Sequence, residues 1–198
     1  DMARIGVHYG VSRLHDGPAT ARSMILLSPS GERTMNTYLG ACHQLTPADI
    51  KEDEIGAATV TYMEGFLWDP VEAKKAFVTA AHYAHKHERA TSFTLSDPFC
   101  VDRHRDDFRR LVKDLDYVIG NEHEWSSLYQ TDLEAALAQA VQDAGLVVCT
   151  RSGDEVILAR GSDRAVVAVR RGVPVDATGA GDQSAAGFIY GMATGQGL

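Results

Sequence analysis

Cysteine is scarce in this chain: three residues in 198, at positions 42, 100 and 149. They are odd in number and far apart, which excludes a disulfide framework and fits reduced thiols in a cytoplasmic protein. Basic residues are outnumbered, 19 Lys and Arg against 27 Asp and Glu, for a formal net charge of -8 and a pI near 5.4. An acidic chain with scattered basic residues is a poor match for a phosphate backbone, so nucleic acid is not an expected partner. No apolar run approaches the ~20 residues of a membrane span, and no signal-peptide pattern is present, so no membrane partner is expected. Internal repeats and low-complexity tracts are missing. So is a G-x-G-x-x-G after an early strand, which removes a dehydrogenase-type dinucleotide fold.

What remains suits one packed globular domain, with 44% hydrophobic and 23% charged residues. Strand candidates at 21–28 and 33–39 flank Pro29-Ser30-Gly31-Glu32, which reads as a hairpin turn. Thr46 before Pro47 reads as a helix start. Beyond it, strands at 59–63, 91–95, 117–120 and 146–150 alternate with helices at 71–87, 106–115 and 133–144. Ala73, Phe77, Ala80, Ala81 and Ala84 form the inner face of the 71–87 helix. A second hairpin is expected from strands at 155–159 and 165–169. This rhythm predicts an α/β fold with a mostly parallel sheet flanked by helices. The first residues resemble the end of a helix and the last ones follow a helix begun at Asp182, so both ends read as cut.

The most informative stretch is Asp176-Ala177-Thr178-Gly179-Ala180-Gly181-Asp182, running into a small-residue helix. A Gly-Ala-Gly turn lets backbone approach a ligand closely, and its N–H groups point out of a first helical turn that favours an anion. Asp182 in the same turn would repel a phosphate unless it had another task. Accepting a proton from a hydroxyl that attacks a phosphoryl group is such a task. The alternative is a tight turn with Asp182 as helix N-cap. A second motif, Asn121-Glu122-His123-Glu124, follows an apolar strand and opens a short helix ending near Tyr129. It reads either as an N-cap with acids in the first turn or as one amide and one carboxylate holding hydrated Mg2+.

The two motifs, in this order, resemble the D-T-x-G-A-G-D and N-x-x-E signatures of the ribokinase/PfkB carbohydrate kinases. The resemblance is strongest to adenosine kinase-like members and extends over nearly the whole chain. It takes in Glu64-Gly65-Phe66-Leu67-Trp68, Thr94-Leu95-Ser96-Asp97-Pro98-Phe99, and lid strands near 8–40. Ser184 departs from the family, which usually has an aromatic there. The resemblance implies a single, partial ribokinase-like domain over 1–198, with ATP and Mg2+ as cofactors. It implies Asp182 as catalytic base, and Gly179, Ala180 and Gly181 as anion hole. Arg33 becomes a phosphate clamp, its alternative being a solvated arginine. Asn121, Glu124, Thr150, Gly153 and Thr178 fall on the nucleotide side, Asn121 and Glu124 holding the metal through water. Glu64 falls against substrate hydroxyls and Trp68 against a nucleoside base, its alternative being core packing. The implied partner is a small sugar or nucleoside, with a homodimer through the lid strands as a further expectation. The family's N-terminal Gly-Gly substrate motif and its C-terminal adenine-covering segment are not found. A ribokinase- or fructokinase-type sugar kinase and a non-catalytic nucleotide-binding fragment stay open as alternatives.

Overall fold

The computed structural model describes residues 2–11, 14–29, 33–170, 172 and 175–197. Two strands, β1 (Arg22–Leu27) and β2 (Arg33–Tyr38), pair antiparallel into a ribbon of their own. The turn expected between them has residues 30–32 outside the described ones. The ribbon's two ends meet at one point, where Ala41 N–H donates to the Ala19 carbonyl at 3.0 Å. Gly40 sits at that pinch with φ 52°, and a Cβ there would lie 2.1 Å from the Ala19 oxygen, so only glycine fits.

A short segment follows with Thr46 and Asp49 in a reciprocal capping box, and then helix α1 (Glu52–Ala57). The remaining chain builds a six-stranded sheet in sequential order. Its strands are β3 (Val60–Glu64), β4 (Ala90–Thr94), β5 (Tyr117–Asn121), β6 (Leu146–Thr150), β7 (Glu155–Arg160) and β8 (Asp163–Ala168). The first four are parallel, and β7 and β8 return antiparallel as the expected hairpin. Four helices make the crossovers: α2 (Val71–Lys86), α3 (Pro98–Leu111), α4 (Glu122–Tyr129) and α5 (Leu133–Asp143). Right-handed crossovers between strands that keep stepping the same way across a sheet place every helix on one face. Helix α6 (Ala180–Ala193) alone packs on the other face, where Ala185 and Phe188 meet Ile119, Leu146 and Val148.

The core lies under the four-helix layer. Trp68, Phe77, Phe93 and Phe108 meet edge-to-face with centroids 5.1–6.4 Å apart. Each such pair contributes about 0.5–1.5 kcal/mol beyond burial. The inner face expected for α2 is buried, with Ala76 added. One helix differs from expectation: α3 begins at Pro98, not 106. Asp97 caps it by accepting the Cys100 N–H at 2.7 Å, and Pro98 occupies the first helical position. A break at His104 (φ -121°) divides the helix and hides its periodicity.

Candidate active site

Side chains alternate along a strand, so each strand that sends one residue into the helical layer sends the next to the face that α6 covers. Met63, Phe93, Val118 and Val147 go to the core. Tyr62, Glu64, Thr94, Ile119, Asn121 and Thr150 line a cleft of about 1230 Å³ at the carboxyl ends of the strands. This is where an open α/β sheet binds its ligands. The ribbon closes one side of the cleft with Leu26, Leu27, Ser28, Arg33 and Thr34, and the α6 turn closes another with Gly179, Ala180, Gly181 and Asp182.

The turn into α6 is built by Gly179, which takes φ 78° as the helix N-cap. Asp182 is therefore not the cap. It stands in the first turn, exposed, and no side chain caps this helix. A carboxylate left out of the capping hydrogen bonds keeps its lone pairs for a ligand. Of the three amides expected to form an anion hole, that of Ala180 is used, donating to the Ala177 carbonyl at 3.2 Å. Among the described residues, the N–H groups of Gly179, Gly181 and Asp182 have no protein acceptor. Thr178, expected on the nucleotide side, does not line the cleft, and its N–H donates to Asp176 Oδ1 at 2.8 Å. Bonds from Thr178 hold the Asp176 carboxyl below its ordinary range, and the Arg33 charge adds to this. The lid arginine lines the same cleft as the anion turn.

Asn121 and Glu124 form a capping box at the start of α4. Asn121 Oδ1 accepts the N–H groups of His123 and Glu124, both at 2.9 Å. Glu124 Oε2 accepts the Asn121 N–H at 2.8 Å, and Oε1 accepts its Nδ2 at 2.7 Å. Glu124 is 4% exposed. Burial pushes its carboxyl up to about 7, with the negative field of Asp97 assisting and the Asn121 amide opposing. No group of three or more His, Cys, Asp or Glu that could hold a metal occurs among the described residues. Both oxygens of Glu124 already accept bonds, so the pair fits an ion held through water and not one ligated directly.

Glu64 is half-buried in the cleft wall and its carboxyl is raised, by burial first and by the charge of Asp182 second. Burial and then the charges of Glu64 and Asp182 push the Tyr62 phenol to about 12. Two expectations are corrected here. Trp68 is not at the cleft but 4% exposed in the core, its Nε1 donating to Asp107 Oδ2 at 3.1 Å. The 3-10 turn Gly65–Leu67 rotates the chain, so Phe66 is the aromatic that faces the cleft. Gly153 does not line it either; it lies in the tight turn between β6 and β7, where Asp154 N–H donates to the Arg151 carbonyl, and Ser152 faces the cleft instead. Phe66, Thr94, Ser96 and Ser152 were not singled out from the sequence. The signal that could have found them is their position within two residues of a strand end.

Comparison with known proteins fits this geometry. A probable sugar kinase from Rhizobium etli is 46% identical, superposes with a TM-score of 0.96, and matches 100% of this chain and 61% of its own. Adenosine kinase from Sinorhizobium meliloti is 44% identical with a TM-score of 0.95, over 100% of this chain and 62% of its own. Adenosine kinase of Schizosaccharomyces pombe is 28% identical over 202 residues, 91% of this chain and 58% of the relative. The chain thus spans about three fifths of the length of these relatives. No helix among the described residues is long and apolar enough to cross a membrane. The model of the pfkB family carbohydrate kinases matches residues 3–198, nearly the whole chain, and the chain belongs to that family.

Proposed function

We propose that the protein of which this chain is part transfers the γ-phosphoryl group of ATP, with Mg2+, to a primary hydroxyl of a nucleoside, adenosine first. The observation that carries the reading is one cleft lined by the Asp182 carboxylate, by Glu64 and by turn amides that have no protein acceptor among the described residues. Asp182 takes the proton from the attacking hydroxyl. The Gly181 and Asp182 amides hold charge that develops on the transferring group, and Arg33 adds a guanidinium from the lid. Mg2+, when bound, neutralises phosphate oxygens. Asn121 and Glu124 would hold its water shell, and Thr150 and Ser152 border the nucleotide end.

At the acceptor end, Glu64 has no hydrogen-bond donor among the described residues and accepts substrate hydroxyls. Phe66 offers the aromatic face that Trp68 cannot. An aromatic face and a carboxylate together favour a nucleoside over a free sugar, which uses only the second. A sugar kinase of the ribokinase or fructokinase type is the second reading, supported by the likeness to the Rhizobium etli protein. The lid's exposed Met24, Leu26, Met35 and Tyr38 support a homodimer through the ribbon, and the reduced, unpaired cysteines suit a cytoplasmic enzyme.

The test is a coupled ADP-release screen of the full-length protein with Mg-ATP against nucleosides and free sugars. Adenosine turnover supports the first reading. Saturable turnover of a sugar without adenosine turnover replaces it with the second. No turnover of any acceptor leaves a nucleotide-binding module.

A further inference from the structure

The connection from β4 to α3 holds a serine in a backbone conformation that serine rarely takes. Ser96 has φ 74°, in the left-handed region where a Cβ is crowded and glycine or asparagine is the usual occupant. The cause is a three-residue turn. Asp97 N–H reaches back to the Leu95 carbonyl at 3.0 Å, which makes Ser96 the central residue of a γ-turn of the rare, strained hand. Glycine would relieve the strain. What glycine lacks is the hydroxyl.

That hydroxyl has a definite partner. Ser96 Oγ accepts the Phe66 N–H at 3.1 Å, while its proton reaches the Thr94 carbonyl at a long 3.4 Å. The other end of the same peptide unit, the Gly65 carbonyl, accepts the Cys100 thiol at 3.0 Å and the Trp68 N–H at 3.0 Å. The Gly65–Phe66 peptide is therefore gripped at both ends, with no room to shift: a Cβ on Gly65 would meet Thr94 O at 2.9 Å and Phe108 Cζ at 3.0 Å. A fixed peptide plane sets the direction of the side chains on either side of it. The plane joins the Cα atoms of Gly65 and Phe66, so the side chain it directs is that of Phe66, the aromatic of the cleft wall; Glu64 stands one peptide further back. Ser96 lines the same cleft.

We propose that Ser96 is a positioning residue for the acceptor, its strained backbone holding a hydroxyl that fixes the Gly65–Phe66 peptide and so the stance of Phe66. The proposal rests on the kinase reading above and concerns the same cleft. Strain of this kind persists where the surrounding structure over-determines it, and it concentrates at ligand sites.

The experiment uses the full-length protein with Mg-ATP and whichever acceptor it phosphorylates. In Ser96→Gly, which removes the hydroxyl and suits the backbone, the acceptor KM rises several-fold because Phe66 is no longer held in place. The kcat stays within about twofold and the KM for ATP is unchanged. Ser96→Ala shows the same split. Ser96→Asn, whose amide oxygen can accept and whose backbone tolerates the left-handed region, recovers part of the loss. Amide hydrogen exchange at Phe66 accelerates in Ser96→Gly while the core stays protected, reading the contact without any turnover. A purely structural role would instead move both KM values together, and that outcome overturns the proposal. A wild type that phosphorylates its acceptor, with Ser96→Gly matching its KM, overturns the role of Ser96 and leaves the kinase standing. A wild type that phosphorylates no acceptor overturns both.

Discussion

Two of the walls of the cleft are made on opposite principles. The sheet wall presents Glu64, Asn121, Glu124 and Thr150 from strand ends whose alternate residues are locked in an aromatic and aliphatic core. The lid wall presents Leu26, Leu27 and Arg33 from a ribbon whose side chains are almost all exposed. Burial stabilises the first by kilocalories per side chain; the second is held by its own ladder and the hydrogen bond at its base. Function placed on the sheet wall inherits the rigidity of the core. Function placed on the lid is free to change position, because little burial opposes it.

The sharpest test of that division is Asp182→Asn in the full-length protein. Asp182 is exposed, so the melting temperature should stay put while turnover falls by about 10²–10⁴, the usual loss for a general base. Steady-state kinetics beside thermal unfolding reads both quantities, and full activity removes Asp182 from the mechanism. Trp68→Ala should do the reverse. It empties a pocket between Phe77, Phe93 and Phe108 and should cost about 3–5 kcal/mol in denaturant unfolding. Trp68→Phe should leave acceptor KM unchanged, since the ring never reaches the cleft.

Glu124 belongs to both categories, buried like the core and facing the cleft. Its folded carboxyl lies near 7 and its ordinary value near 4.5, so the folded form holds its proton more tightly than the unfolded chain. The stability this contributes is complete below about pH 4.5 and is lost as pH rises through about 7. Without divalent cations, Glu124→Gln should flatten that loss by roughly 2–4 kcal/mol between pH 4.5 and 8, because glutamine still accepts in a capping box. A parallel pair of pH–stability curves would return the carboxyl to its ordinary range. The smallest effect is expected on the lid: Met24→Ala, at a side chain 70% exposed, should change stability by less than about 0.5 kcal/mol. A larger loss would show that the ribbon is packed against something in solution, and light scattering would show whether that is a second copy.

Elements with strong periodicity were legible in advance. The alanine-rich face of α2 and the strand–helix junction at Asn121 need only the chain's own pattern. The start of α3 was not, although Asp97-Pro98 is a cap followed by a helix-initiating proline, because the break at His104 interrupts the apolar spacing. At the site, the glycines around Asp182 announce a turn that the structure builds at Gly179, and the role proposed for the carboxylate starts from that turn. Which amides stay unpaired could not be read in advance: the Ala180 N–H is taken by a carbonyl three residues back, a matter of turn geometry. Trp68 and Phe66 sit two residues apart, and only the 3-10 turn between β3 and α2 decides which is core and which is cleft. The backbone of Ser96 was not legible either, since nothing in Leu-Ser-Asp announces a positive φ.

Gly40 and its contact with Ala19 give the ribbon a single fulcrum. Both strands return to the same point, so bending there turns the whole ladder without breaking a rung. An arm of six or seven extended residues is roughly 20 Å long. A tilt of about 10° at the base then sweeps roughly 3.5 Å at Arg33, the difference between a guanidinium touching an anion and one separated from it by a layer of water. Any side chain at position 40 would wedge the fulcrum open, displacing a charge at the far end of the lever without touching a single residue in the cleft.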